Sequence, residues 1–287
     1  MRIVSLLPSA TEILFALGVG DQVVGVTHEC DFPPQAANRA HLTASALPQG
    51  MAPGEINRHV RTSVHAGSSL YHLDSEMLEK LAPDLIVTQE LCAVCAVSYQ
   101  IVDRAAKQLS SDARIVSLEP ASLDDVYANV ATLGELTGSQ AAAKGLIASL
   151  QLREDALRAK YEHHSHPRTL LLEWTDPPMS AGHWTPGLIE IAGGVPVLCK
   201  PGANSTVIDW DAVEQEAPDV ILIAPCGFDL EAATKAMAEL DAVPQFAQSR
   251  AKREARVFAI DGNAYVNRPG PRLIDTAEIF AGYIHGA

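Results

Sequence analysis

Polar and aromatic residues gather just beyond short apolar runs in this chain. The clusters are Thr27-His28-Glu29-Cys30-Asp31, Gln89-Glu90-Leu91-Cys92-Ala93-Val94-Cys95, Glu173-Trp174-Thr175-Asp176, Gly182-His183-Trp184 and Asp261-Gly262-Asn263-Ala264-Tyr265-Val266-Asn267-Arg268. The apolar runs read as strands, and ligands of open α/β sheets collect outside the carboxyl ends of strands. The carboxylates Glu29, Asp31, Glu90, Glu173 and Asp261 accept hydrogen bonds, as do the amide oxygens of Asn263 and Asn267. Trp174, Trp184 and Tyr265 offer apolar faces with one polar edge, and His28, His183 and Arg268 add donors. Ordinary exposed polarity explains any one cluster; all of them at strand exits point to a binding surface.

The thiols suggest a second chemistry. Cys92-x-x-Cys95 is a single metal-type pair, and Cys30 with His28 would complete a four-ligand site for zinc or another thiophilic metal. His183 is the rival fourth ligand, and three partly buried thiols lining a wall is the plain alternative. The tract His163-His164-x-His166 ends a long polar helical run beside Pro167 and reads as solvated. No phosphate loop, dinucleotide glycine fingerprint or Gly-x-Ser-x-Gly elbow occurs, and no nucleophile–base pair can be read from the spacing. Binding is therefore expected rather than catalysis, with a thiol- or metal-dependent enzyme as the third reading.

Composition narrows the partners. A formal net charge of −14 argues against nucleic acid and against an anionic membrane surface. Nothing approaches the roughly 20-residue apolar run of a membrane span. The chain opens directly on a strand-like run, and Pro8 and Glu12 interrupt any secretory core. A cytoplasmic location is expected on that basis, or a periplasmic one for a trimmed mature form. Five cysteines, an odd number, favour thiols or metal ligands over a disulfide framework.

The elements that would position these residues repeat. Ala82-Pro83-Asp84-Leu85-Ile86-Val87 returns as Ala217-Pro218-Asp219-Val220-Ile221-Leu222, each copy after an acidic helical run and before a β-branched strand. Leu17-Gly18-Val19-Gly20 before Val23 to Val26 is mirrored by Gly193-Gly194 before Val195 to Leu198. From Ser122 to about Tyr161, apolar residues recur at three- and four-residue steps, a helix with Thr137-Gly138-Ser139 as its one candidate break. The expected organisation is an α/β lobe over 1–121, a connecting long helix over 122–166 and a second α/β lobe over 167–287. Segment 27–73 reads as loops with a short strand near 42–45, and Ile101 to Leu109 as helix.

The chain also resembles the cobalamin and iron–siderophore substrate-binding proteins of ABC importers. The likeness runs through Met1-Arg2-Ile3-Val4-Ser5-Leu6-Leu7-Pro8-Ser9-Ala10-Thr11-Glu12, Val24 to Pro34, the two Ala-Pro-Asp strand starts, Asp176-Pro177-Pro178-Met179-Ser180-Ala181-Gly182, and Asn267-Arg268-Pro269-Gly270-Pro271-Arg272-Leu273. The resemblance implies two Rossmann-like lobes joined by a single long backbone helix, the class III periplasmic-binding-protein architecture, with a ligand in the inter-lobe cleft. It implies a corrinoid (cobalamin) or similar metal-chelate ligand, bound for uptake, storage or delivery. It also implies that Glu76 and Asp211 dock onto an ABC permease; a corrinoid-using protein is the alternative partner. The His-Glu-Cys-Asp and Cys-x-x-Cys segments are not general features of that group.

Overall fold

A computed structural model describes residues 1–48, 50–65, 70–89, 102, 105 and 112–286. The chain divides into two compact units, the first built from 1–51, 58–119 and 126–148, the second from 52–57, 120–125 and 149–287.

In the first unit, β1 (Ile3–Ser5) is flanked by β2 (Val23–Val26) and β6 (Leu85–Thr88); β3 (Ala40–His41) extends one edge and β7 (Arg114–Ser117) the other, all parallel. β4 (Thr43–Ser45) and β5 (Tyr71–Leu73) form a separate antiparallel pair. Side chains alternate across the sheet as the pleat requires. Ile3, Leu85 and Val87 join one core with Ile13 and Leu14 of α1 (Pro8–Ala16). Val4 and Ile86 join another with Leu78 of α3 (Ser75–Leu81). Gly18, in the left-handed region at φ 75°, stops α1. α2 (Pro53–His65) stands where the sequence suggested loop. Its apolar stripe is thin, with Ile56 and Val60 set among Asn57, Arg58 and His59.

The second unit repeats the plan. β8 (Arg168–Thr175) is the central strand, with β12 (Val220–Ile223) and then β13 (Val257–Ala259) parallel to it on one side. On the other side its start pairs with β10 (Val195–Pro196) and its end with antiparallel β9 (Pro178–Ser180), which carries β11 (Thr206–Val207). Leu170, Leu172, Ile221 and Ile223 bury one face against Phe246, Leu240 and Val213. The helices are α6 (Thr185–Ile191), α7 (Trp210–Glu216), α8 (Leu230–Glu239) and α9 (Leu273–His285), with short helical turns at Pro244–Ala247 and Arg250–Arg253. The two Ala-Pro-Asp copies thus open strands of two different sheets.

The repeat extends to atoms. Asp74 caps α3 through Met77 N–H at 2.8 Å, and Asp209 caps α7 through Ala212 N–H at 2.6 Å. Each helix ends on an alanine at φ 41°, Ala82 and Ala217. Each aspartate after the proline then clasps an arginine at the entrance of the neighbouring strand, Arg2 just before β1 and Arg168 at the start of β8. Arg2 N–H donates to Asp84 Oδ2 at 2.7 Å and Asp84 N–H to Arg2 O at 2.8 Å. Arg168 N–H donates to Asp219 Oδ2 at 2.9 Å and Asp219 N–H to Arg168 O at 2.8 Å. The arginine Nε–H groups cap the helix ends at Leu81 O and Glu216 O.

The expected single helix over 122–161 is two helices, α4 (Leu123–Leu136) and α5 (Gln140–Tyr161), parted at Thr137-Gly138-Ser139. Gly138 takes φ 70°, and Thr137 turns its hydroxyl onto Leu133 O at 2.7 Å, so the helical ladder ends there. Ser122, with Asp125 three residues on, forms a reciprocal cap at the head of α4. Most of the helix expected over Ile101 to Leu109 lies outside the described residues. His166, in the tract read as solvated, is exposed but shares a ring proton with Gly193 O at 3.0 Å.

An L-residue in the left-handed region carries a strain of about 1 kcal/mol that glycine does not. Ala82→Gly and Ala217→Gly should therefore each raise unfolding stability, by roughly 0.5–1 kcal/mol in urea titrations. Equal or lower stability in both would show that the clasp, not the helix end, sets the energy there.

Candidate functional site

The exits of β8, β12 and β13 are laced into a ring in the second unit. Glu173, near the end of β8, accepts from Ser205 Oγ at 2.8 Å, and the same Ser205 Oγ accepts from Gly182 N–H at 3.1 Å. Gly182 lies against the backbone of Ala203 to Ser205, where a Cβ would collide with the Ala203 carbonyl. His183 follows at φ 51°; its N–H donates to Ala203 O at 2.6 Å, and its Nε2 pairs with Asn204 Oδ1 at 3.1 Å. Trp184, next in line, tilts against the His183 ring and donates its indole N–H to Val266 O at 2.9 Å.

Val266 closes a single π-helical turn, Gly262–Val266, capped by Asp261, which accepts from Ala264 N–H at 2.7 Å. Such wide turns leave backbone and side chains displayed and are frequent at functional sites. Gly262 permits the turn, since a Cβ there would meet the Ala224 and Pro225 carbonyls. Asn263 N–H donates to Phe228 O at 3.0 Å, and Phe228 meets Trp174 edge-on at 5.4 Å. Trp174, with its indole N–H on Asp176 O at 3.0 Å, follows Glu173 in β8, so the chain itself joins the two ends of this series of contacts. Tyr265 lies half-buried under the Arg272 guanidinium at 5.5 Å. Arg268 is buried and donates to Asn263 Oδ1 at 3.1 Å, and Asn267 donates to Gly262 O at 3.0 Å. Arg268 and Asn267 thus brace the turn.

The charges follow from this geometry. Burial raises the Glu173 pKa, against the opposing hydrogen bonds of Ser205 and Gly182. Burial lowers the His183 pKa, with Asn204 opposing, so the ring is held neutral.

The first unit brings a smaller group together. His28 is half-buried beyond β2, its Nδ1 at 2.7 Å from Thr43 Oγ1, its ring 5.7 Å from Tyr71 and its Nε2 3.9 Å from Glu29. Burial and the nearby His41 lower its pKa. Asp31 is exposed. Cys30 turns the other way: its thiol is buried in the core, 3.1 Å from Thr11 Oγ1 and 3.5 Å from Thr27 Oγ1. Cys30 faces inward because its N–H turns back onto Thr27 O, folding the residue under β2. Glu90, Cys92 and Cys95 lie outside the described residues. Among the described residues, no group of three His, Cys, Asp or Glu side chains is arranged to hold a metal.

Glu76 and Asp211 sit exposed in the first turns of α3 and α7, equivalent places in the duplicated frame. Sequence reasoning did not single out Ser205, Asn204, Phe228, Thr43 or Tyr71. Their signal was faint, because each is an ordinary polar or aromatic residue in a stretch without periodicity.

Two α/β units, each built on a mainly parallel sheet with polar residues at its strand exits, define the architecture of the chain. The sequence model described as periplasmic binding protein matches residues 3–264, and the chain belongs to that family. It is 24% identical to the vitamin B12-binding protein of Vibrio cholerae serotype O1 over 294 residues, covering 99% of this chain and 88% of that one. It is 26% identical to the uncharacterized ABC transporter substrate-binding lipoprotein YvrC of Bacillus subtilis over 290 residues, covering 99% and 80%. The fold is shared with the periplasmic heme-binding protein RhuT of Roseiflexus sp. RS-1, at TM-score 0.71 and 24% identity over 99% of this chain and 98% of that one. These likenesses give no support to the cytoplasmic location expected from the first residues. No helix among the described residues is long and apolar enough to cross a membrane.

Gly182→Ala should destabilise the protein by about 2–4 kcal/mol, because rigid backbone occupies the new methyl's place. Gly187→Ala, in α6 with open space around it, should be neutral or stabilising by up to about 1 kcal/mol. Thermal or urea unfolding of the two variants measures the contrast, and similar effects would contradict the close approach.

Proposed function

We propose that this chain binds a corrinoid non-covalently at its strand-exit surface, as the substrate-binding component that hands a ligand to an ABC permease. The observation that carries this reading is the ring around β8, β12 and β13. It is rich in acceptors and aromatics, while the indole N–H groups of Trp174 and Trp184 are spent on Asp176 O and Val266 O. A corrinoid rim carries neutral carboxamides, which donate N–H to carboxylate and amide oxygens such as those of Glu173, Asp261 and Asn263, while Tyr265 and Trp184 cover apolar faces. The vitamin B12-binding relative of Vibrio cholerae supports the same ligand class.

Heme or an iron chelate is the rival reading, favoured by the fold shared with a heme-binding protein. An anionic chelate edge would meet Glu173 and Asp261, and Arg268 is already engaged with Asn263. The corrinoid reading is the better match in charge. Glu76 and Asp211 suit a basic permease surface, one in each unit. Zinc held by Cys30, Cys92, Cys95 and His28 is not carried into this proposal: Cys30 is buried in the first unit, and Cys92 and Cys95 lie outside the described residues.

Calorimetry should detect cyanocobalamin at about one per chain, and hemin should bind more weakly. Tyr265→Ala should weaken cyanocobalamin binding by roughly 1–3 kcal/mol through lost aromatic burial. Tighter binding of hemin than of cyanocobalamin would replace the corrinoid by the rival, and no response to either would end both.

A further inference from the structure

Glu173 differs from a surface carboxylate in how it is held. The residue keeps part of its surface exposed, yet its carboxyl sits in a desolvated place. Ser205 Oγ reaches it at 2.8 Å, and Ser205 is itself fixed by Gly182 N–H. Cys226 N–H holds the Glu173 carbonyl at 3.2 Å, so main chain and side chain are both tied. An ionised carboxylate offers about four acceptor sites, and the Ser205 hydroxyl takes one of them. Gly182 pins the 182–184 segment against Ala203 to Ser205, so the serine cannot drift from the acid.

We infer that Glu173 accepts a hydrogen bond from an N–H-bearing edge of the ligand, that Ser205 positions it for that bond, and that ligand binding is thereby coupled to release of one proton from the Glu173 carboxyl. This rests on the corrinoid reading, whose carboxamides supply the N–H. The balance is simple: the O–H bond of the carboxyl breaks, the proton passes to buffer, and the carboxylate so formed accepts the ligand N–H.

Burial makes the free carboxyl keep its proton to higher pH than an exposed glutamate would. A donor bound to the carboxylate favours the ionised form, so affinity is full above the free-protein pKa and falls as pH drops through it. The decline approaches tenfold per pH unit, until the bound form also protonates. The titratable or charged groups on the surrounding segments are Asp176 after its own strand, His183 after β9, Cys199 and Lys200 before β11, and Cys226 after β12. None of them contributes a charge effect at Glu173, whose shift comes from burial, Ser205 and Gly182. An anionic ligand edge at the same place would reverse the sign, binding more tightly as pH falls.

The test is cyanocobalamin calorimetry from about pH 4.5 to pH 8, repeated near the lower end in two buffers of different ionisation enthalpy. The wild type should lose affinity on acidification and release a proton there. Glu173→Gln should flatten the profile, and Ser205→Ala should move its midpoint to higher pH, because the hydroxyl donates to the ionised form. A role confined to shaping the loop would lower affinity at every pH without moving the midpoint. A flat wild-type profile, one that rises toward acid, or one unchanged in Glu173→Gln would overturn the inference while leaving corrinoid binding intact. No cyanocobalamin binding at any pH would overturn the corrinoid reading and this inference with it. Should Glu173→Gln fail to fold, the two-buffer proton count on the wild type still decides.

Discussion

Everything at the sheet exits depends on how the strands are set at their entrances, and one interaction sets them twice. In each unit an aspartate after Ala-Pro binds the backbone of an arginine at the entrance of the neighbouring central strand, and the arginine's Nε–H returns to the end of the helix before the Ala-Pro-Asp. The proline forbids the helix from continuing, the aspartate fixes the register of β6 on β1 or β12 on β8, and the arginine satisfies a helix-end carbonyl. A one-residue slip would turn Ile221 and Ile223 away from Phe246 and Val213 to the opposite face of the sheet, and the exit residues with them. The clasp lies at the opposite ends of the strands from the polar clusters.

With the entrances fixed, the two exits diverge. The first places His28 against Thr43 and Tyr71 and buries its thiol beneath the strand. The second carries acids, amides and aromatics in a ring whose members are bound to one another. The frame is duplicated, but the exit loops share no residue pattern. That is the economy of an α/β sheet: parallel strands hold loops at fixed spacing while leaving their sequences free.

The frame was legible in the sequence because it rests on periodic and punctuating residues. Ala-Pro-Asp marked both strand entrances, Gly18 ended α1, and Ser122 with Asp125 capped α4. The residue types of the second exit were legible at the strand ends: Glu173 is joined to the 182–184 segment through Ser205, and Trp184 donates to the carbonyl of Val266, next to Tyr265. Three things were hidden. α2 offers too thin an apolar stripe to stand out. Cys30 has the residue type of a ligand, but its direction depends on the turn back to Thr27 O, which no spacing encodes. Ser205 acts only through a contact 32 positions away in the chain, and a serine in a turn-rich stretch carries no mark of it.

The strained residue of the second exit gives the last link. His183 adopts φ 51°, a conformation an L-residue occupies at a cost of order 1 kcal/mol. A loop free to relax would shed that strain. It does not, because His183 N–H is held by Ala203 O, His183 O accepts from Gly202 N–H at 3.1 Å, and the preceding glycine has no room to shift. The strain therefore marks a loop fixed from several sides. Its consequence is that Ser205 and Trp184, on either side of the constraint, are held in set positions; in the proposed binding role that would lower the ordering cost of taking up a ligand.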